Sequence, residues 1–445
     1  MKKIKGKGRI LLYGMSGMGV NMLNLMMGSY LCSALLIGGF GVDVIPFQTY
    51  AQRDLIIPAV WATFVLIAKI IDGIVDIPMA SFTDRLKTRW GRRRPSILIG
   101  LAVTVAAYLL FLVIPNPGGA SMLNTIYYGA VLCVFYCFYT LTMVTYYATY
   151  TEVIETTEER TFLSNVKSVC DIVYFILGYV VVRMLLNGLN IRLVALIVLP
   201  IALTMLIPLF MIKEESTLEG AEGVSETVNL VKSLKLTFKN KPFIIWMIVY
   251  SFMQFGVQLF LGGINEYFSF VGMNMIFVMM ASFAPVPFTL IIYNRIIKNR
   301  GFGAAFRYVL FVFALSMAFM GFVGFMEAGT TKTILAIVSG VISSFAIGAL
   351  FAVAYSVPSQ LAADEEKKTG ISNSAMYFAV QGLFSGVATG IGTGIVLTAL
   401  KGSEANPTSA IKYMTLISAA ACVVALVFTK LLPQSIIYMG KQSKD

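Results

Sequence analysis

The chain has no histidine, and only 13% of its 445 residues are charged, against roughly a quarter in an ordinary soluble domain. Without histidine, a zinc or haem site is not expected even at Cys133 and Cys137, which stand one helical turn apart. The five cysteines (Cys32, Cys133, Cys137, Cys170, Cys422) all fall in apolar runs and read as small packing residues rather than disulfides or ligands. No metal or phosphate motif is present, which argues against an enzyme. A signalling domain is also missing, because the one long polar segment is too short to be one.

Apolar residues fill the space, at 58% of the chain. A membrane-spanning helix needs about 20 mostly apolar residues. Twelve such runs are expected, near 11–40, 56–82, 95–115, 122–150, 162–186, 192–212, 243–271, 274–297, 305–326, 333–360, 372–400 and 411–434. The fold class that follows is an all-α membrane protein of twelve helices in two six-helix bundles. The first run is too long for the core of a cleavable signal, so it is expected to stay.

The net charge of +12 is distributed by loop. Lys2, Lys3, Lys5, Lys7 and Arg9 precede the first run, Arg85, Lys87, Arg89, Arg92, Arg93 and Arg94 follow the second, and Arg295, Lys298 and Arg300 follow the eighth. Residues 116–121 and 271–275 carry no Lys or Arg. The positive-inside rule then puts both termini in the cytoplasm, and the basic balance reads as topology rather than nucleic-acid binding. Short loops suit a bacterial inner membrane, with the lipid bilayer as partner and the monomer as the expected state.

The polar segment Lys213 to Lys241 separates six runs from six, giving expected bundles over 1–212 and 243–445 with a cytoplasmic linker over 213–242. Val228 to Phe238 has apolar residues at helical spacing with lysines between. It reads either as a helix on the membrane surface or as a solvated helix without a role. A polar residue with Arg, then a Gly/Arg turn, recurs as Asp84-Arg85 with Gly91-Arg92 and as Asn294-Arg295 with Arg300-Gly301. Such internal symmetry is typical of transporters built from repeated bundles. Asp84, Arg85 and Arg92 are expected in a charge network at a cytoplasmic helix end, with a topogenic signal as the alternative.

Charges at bilayer depth are expensive and mark function by default. The second run carries Lys69, Asp72 and Asp76; the acids are four apart and share a face, with the lysine three before the first. Two carboxylates this close cannot both ionise cheaply, so a proton, a sodium ion or the lysine must neutralise one. The alternative is a structural pair of Lys69 with one acid. Pro78 weakens the helix just beyond and can leave a carbonyl for a cation. In the fifth run Lys167 and Asp171 are four apart; they pair with each other or with the second-run acids, or the lysine snorkels. Glu266 is read as a substrate ligand or as an exposed interfacial residue. Asn21, Tyr146, Tyr147, Gln254, Gln258, Tyr355 and Gln381 are candidate pore-lining residues, with helix packing as the alternative for each.

The segment KIIDGIVDIPMASFTDRLKTRWGRRRPSILIG (69–100) resembles the glycoside-pentoside-hexuronide:cation symporters of the major facilitator superfamily. Weaker echoes are YGMSGMG in the first run, ERTFLSNVK opening the fifth, KNKPFI opening the seventh and EEKKTG after the tenth. The resemblance implies a secondary transporter, without a cofactor beyond a coupling proton or sodium ion. It implies cation binding by Asp72 and Asp76 with Lys69 beside them, and a further oxygen from Thr140. It also implies a small-molecule substrate of carbohydrate type. Departures concern mainly the substrate: Asn21, Met143, Tyr147 and Gly386 stand where melibiose-type members carry aspartate, aspartate, tryptophan and lysine. Val75 replaces a neutral oxygen ligand between the acids, which favours a proton over sodium, since sodium needs several oxygens. A transporter of lipids or other amphipathic solutes is the alternative on the same fold.

Overall fold

The computed structural model describes residue 4 and residues 6–40, 45–75, 78–79, 83, 86–153, 157–214, 216, 238–369 and 374–441. Backbone groups in hydrocarbon must find partners within their own segment, and these residues accordingly form helices. Among the described residues the single β-bridge, between Gly402 and Pro407, lies in a loop. Twelve helical runs follow in order: α1 Lys7–Leu35, α2 Pro58–Ile74, α3 Arg93–Phe111, α4 Met122–Val153, α5 Thr157–Ile176 continuing through Leu177–Val181 and Val182–Leu185, and α6 Ile191–Met211. Then come α7 Lys241–Gly262, α8 as Met275–Phe283 with Val286–Arg300, α9 Phe302–Gly324, α10 Thr330–Thr369, α11 Ser374–Gly390 with its continuation to Lys401, and α12 Ala410–Leu431.

Among the described residues nine helices are long and apolar enough to cross a membrane, and ten if the two pieces of α8, bent by 41°, make one span. Two more of the twelve expected places are also helical: α2, described over 17 residues that carry Lys69 and Asp72, and α5, which opens on the polar stretch TEERTFLSNVK and runs on to Leu185. The bend of α8 falls at Ala284 and Pro285, where the missing proline N–H and the ring weaken the helix.

The chain divides into two compact units, Met1–Ile37 with Val42–Ser225, and Gly38–Gly41 with Glu226–Asp445. In the first, α3 packs on α4, α4 on α2, and α1 on α5 and α6. Its core includes Ile10, Tyr13, Ile97, Leu101, Tyr146 and Met205. In the second, α7 and α9 pack on α12, and α10 on α8 and α9. Asn190, Asn240 and Asn274 cap the starts of α6, α7 and α8, each side chain accepting a backbone N–H of the first turn. The segment expected to be amphipathic, Val228 to Phe238, lies outside the described residues as far as 237.

Two local departures from α geometry shape the first unit. Pro200 stands in a 3₁₀ stretch of α6, Leu199–Leu206, and the Ile201 carbonyl there meets α1 at Gly19, where a Cβ would lie 1.9 Å from the oxygen. Only glycine permits that approach, and Thr204 Oγ1 secures it by donating to Ser16 O at 3.0 Å. Secondly, α1 and α5 each contain a π-turn, Met27–Leu31 and Leu177–Val181. The wider turn disturbs the i to i+4 ladder, and the exposed acceptor on α5 is met from α1: Tyr30 donates its hydroxyl to Gly178 O at 2.8 Å. Ser29 and Tyr179 share a hydroxyl contact of 3.2 Å beside it. A third π-turn, Ile391–Val396, interrupts α11 in the other unit.

Candidate functional site

Asp72 lies on α2 facing α4, whose Tyr136, Tyr139 and Thr140 fall at i, i+3 and i+4 and so share one face. Thr140 Oγ1 donates to Asp72 Oδ1 at 2.9 Å. Lys69 Nζ stands 3.9 Å from Asp72 Oδ2 and 3.8 Å from the centroid of the Tyr136 ring. The lysine is thus divided between an ion pair and a cation–π contact, and at 3.9 Å it is close enough to attract the carboxylate but too far to hydrogen bond to it. Oδ2 has no hydrogen-bond donor among the described residues. The Asp72 side chain is 29% exposed and that of Lys69 16%, so the carboxylate is sheltered yet reachable. One oxygen oriented by a hydroxyl and the other left open is an arrangement able to accept a proton or a small cation. Asp76, Asp84 and Arg85 fall outside the described residues.

Tyr139, on the same face of α4, donates to Asn21 Oδ1 on α1 at 3.0 Å. On α5, Lys167 Nζ lies 2.7 Å from Asp171 Oδ2 and 5.4 Å from the Tyr147 ring centroid. Among the described residues this is the pairing within α5 that was one of the expected choices for Lys167. Arg92 sits just ahead of α3, its carbonyl accepting from Ser96 Oγ at 2.9 Å.

Four further candidate positions have the following surroundings. Tyr146 is fully buried; its hydroxyl donates to Tyr13 O and accepts from Tyr150 at 3.0 Å. It is a core residue joining α1 to α4, because nearly every face of α4 is covered at that level. Gln381 is 5% exposed and accepts from Trp246 Nε1 at 2.7 Å, an internal tie between α11 and α7. Gln254 donates to Tyr250 on its own helix at 2.7 Å. Only the backbone of Tyr355, within α10, is described.

Glu266 is not an exposed interfacial residue. It is fully buried in the short helix Ile264–Val271, with Lys401 Nζ 2.9 Å from Oε1, and its Oε2 has no hydrogen-bond partner among the described residues. The turn Gly38-Gly39-Phe40 closes over the pair. Lys401 Nζ is 5.0 Å from the Phe40 ring centroid, Gly39 has φ +82°, and a Cβ on Gly38 would come within 2.6 Å of Lys401 O. Sequence reading missed Lys401, since a lysine one residue past an apolar run looks the same as one that snorkels to water. It also missed Lys332, which is 5% exposed and donates to Val271 O and Met326 O at 2.5 and 2.9 Å.

The sequence model of a family described as MFS/sugar transport protein matches residues 12–433, nearly the whole chain. The chain belongs to this family. It is an integral membrane transporter of the major-facilitator type rather than an enzyme. A protein of Synechocystis sp. named as an uncharacterized symporter is 33% identical over 138 residues, which is 30% of this chain and 25% of that protein; the match thus spans about a quarter of the relative. A variant of the nucleoside transporter NupG superposes with a TM-score of 0.67 at 13% identity, covering 96% of this chain and 99% of the other. The peptide transporter POT in complex with sulfate also gives 0.67, at 12% identity, over 99% and 98%. At such identities the likeness is one of fold. This membership agrees with the resemblance carried by residues 69–100.

Proposed function

We propose that this transporter is a symporter that moves a sugar, glycoside or sugar acid together with a cation by alternating access. In this reading Asp72 binds the cation with Thr140 and with Asp76, and Lys69 balances the charge when the site is empty. The observation that carries it is the unequal treatment of the Asp72 carboxylate: one oxygen is fixed by Thr140 and the other is left open at 3.9 Å from Lys69. A pair that served only structure would close to hydrogen-bond distance, as Lys167 and Asp171 do at 2.7 Å.

The coupling ion in this reading is a proton. Val75, the residue after the last turn of α2, brings no oxygen to the site, and a hard cation such as sodium needs several. The transporter works as a monomer in a bacterial inner membrane with both termini cytoplasmic. Asn21, held by Tyr139, and Tyr147, beside Lys167, remain the polar and aromatic groups offered to a carbohydrate on this reading.

The test is uptake by purified protein in liposomes under imposed proton or sodium gradients, across radiolabelled glycosides, hexuronates and lysolipids. Uphill uptake of a glycoside driven by a proton gradient, and abolished in Asp72→Asn, is the expected result. Gradient-independent uptake, or movement of lysolipids alone, would sink both the coupling and the carbohydrate assignment.

A further inference from the structure

The first unit carries an open groove that none of the residues above explains. It lies where the last turn of α3 meets the first turn of α6, measures about 420 Å³, and is walled by Leu109, Val113, Leu193 and Leu196 with Arg192 among its lining residues. These four apolar side chains are 40 to 50% exposed, as expected of surfaces that meet lipid. Arg192 is out of keeping with them. It is exposed, and its guanidinium makes no hydrogen bond or ion pair among the described residues.

The neighbours that would normally quench such a charge are already occupied. Asn190 uses its side-chain oxygen to cap α6, accepting the backbone N–H of Arg192 at 2.9 Å. The hydroxyls of Tyr50 and Tyr128, on which the guanidinium acts electrostatically, are neutral and donate to Phe111 O and Val113 O at 3.0 and 2.8 Å. No carboxylate faces the groove. An arginine at the end of two spanning helices, beside a trough of leucines, therefore presents five N–H donors and a positive charge to whatever fills the trough. The complementary molecule has an oxyanion at one end and a hydrocarbon chain at the other.

We propose that this groove binds one phospholipid of the surrounding bilayer, its phosphate on the Arg192 guanidinium and the first part of an acyl chain along Leu109, Val113, Leu193 and Leu196. The volume is of the order of a small-molecule pocket, enough for the headgroup linkage and the start of a chain while the rest stays in the bilayer. A guanidinium holds a phosphate through its planar fork of N–H donors while the apolar side chains cover the chain. Binding is expected to join the end of α3 to the start of α6.

Native mass spectrometry of detergent-purified protein titrated with phosphatidylglycerol tests this, using two variants with opposite defects. Arg192→Gln removes the charge and leaves the trough; Leu196→Trp fills the trough and leaves the charge. The wild type is expected to retain one lipid, both variants to weaken that binding at least tenfold, and inorganic phosphate alone to leave it unchanged. Equal retention by the wild type and both variants would overturn the proposal. So would displacement of the lipid by inorganic phosphate at comparable concentration, which would make the site one for the free anion. Both substitutions are at exposed positions, so a matching melting curve shows that a lost lipid reflects the site.

Discussion

At the scale of single residues, the partly sheltered Lys69–Asp72 pair and the buried Glu266–Lys401 pair respond to mutation in different ways. Among the described residues Asp72 has only the Thr140 hydroxyl as a hydrogen-bond partner, and a hydrogen bond to a charged group contributes about 1.5 to 3 kcal/mol. Because that donor favours the ionised carboxylate, Thr140→Ala is expected to lower the proton concentration for half-maximal uptake about tenfold or more, and Thr140→Ser to leave it near the wild-type value. Equal shifts in both would mean that Thr140 acts through packing. The Glu266–Lys401 pair is completely enclosed, and removing one member of a buried pair costs about 3 to 5 kcal/mol because the other charge stays behind. Lys401→Met should thus lower the melting temperature sharply, and the double change Glu266→Gln with Lys401→Met should recover much of the loss. Denaturation of the four proteins in one detergent measures the coupling; additive losses would show that the two charges do not act as a pair. Of these residues, Asp72, Lys69 and Thr140 were legible in the sequence: spacing on α2 placed the charges at bilayer depth, and the family resemblance supplied Thr140. Lys401 was not, because its partner is 135 positions away and its own run ends just before it. For Tyr146, offered as pore-lining or as helix packing, the burial between α1 and α4 was not legible, since spacing tells which residues share a face but not which faces a neighbouring helix covers.

Among the elements, the contact between α1 and α6 is the most demanding. The Gly19 position faces the Ile201 carbonyl with no room for a Cβ, so Gly19→Val must push the helices apart and is expected to leave little folded protein by size-exclusion chromatography. Gly8 meets nothing within 4 Å, and Gly8→Ala is the matched control. Tyr30→Phe removes the donor that satisfies Gly178 O. An acceptor left unsatisfied in a buried setting costs about 1 to 3 kcal/mol, and a fall in melting temperature without loss of folded yield is the expected outcome. The helices themselves were readable from apolar length, and the bend of α8 at Pro285 was not. The π-turns were invisible in advance: the glycines that mark them, Gly28, Gly178 and Gly392, resemble the many others that sit within the spans.

For the whole molecule, family and fold agree with what composition and topology imply, and the open quantity is the driving force. If one positive charge crosses with each solute, a potential of 100 mV supplies about 2.3 kcal/mol, or about fortyfold accumulation at 1.4 kcal/mol per decade. Liposomes held at about 100 mV, inside negative, by a potassium gradient with valinomycin should concentrate a transported glycoside toward that limit when no pH difference is imposed. Collapse of the potential should abolish the accumulation. Accumulation that ignores the potential and follows only the pH difference would mean that the solute carries a compensating negative charge, and would point to a sugar acid in place of a neutral glycoside.

The π-turns also bear on how this chain is compared with its relatives. Each one holds an extra residue within a continuous helix, and a helix advances by about 100° per residue. Beyond Leu31, Val181 and Val396, positions paired one to one with a relative whose helices are regular would be assigned to the wrong side of the helix. A single-residue gap placed inside the helix, rather than in the adjoining loop, restores the correspondence. Any transfer of ligand residues onto the C-terminal ends of α1 and α5, or onto the last turns of α11, has to begin with that gap.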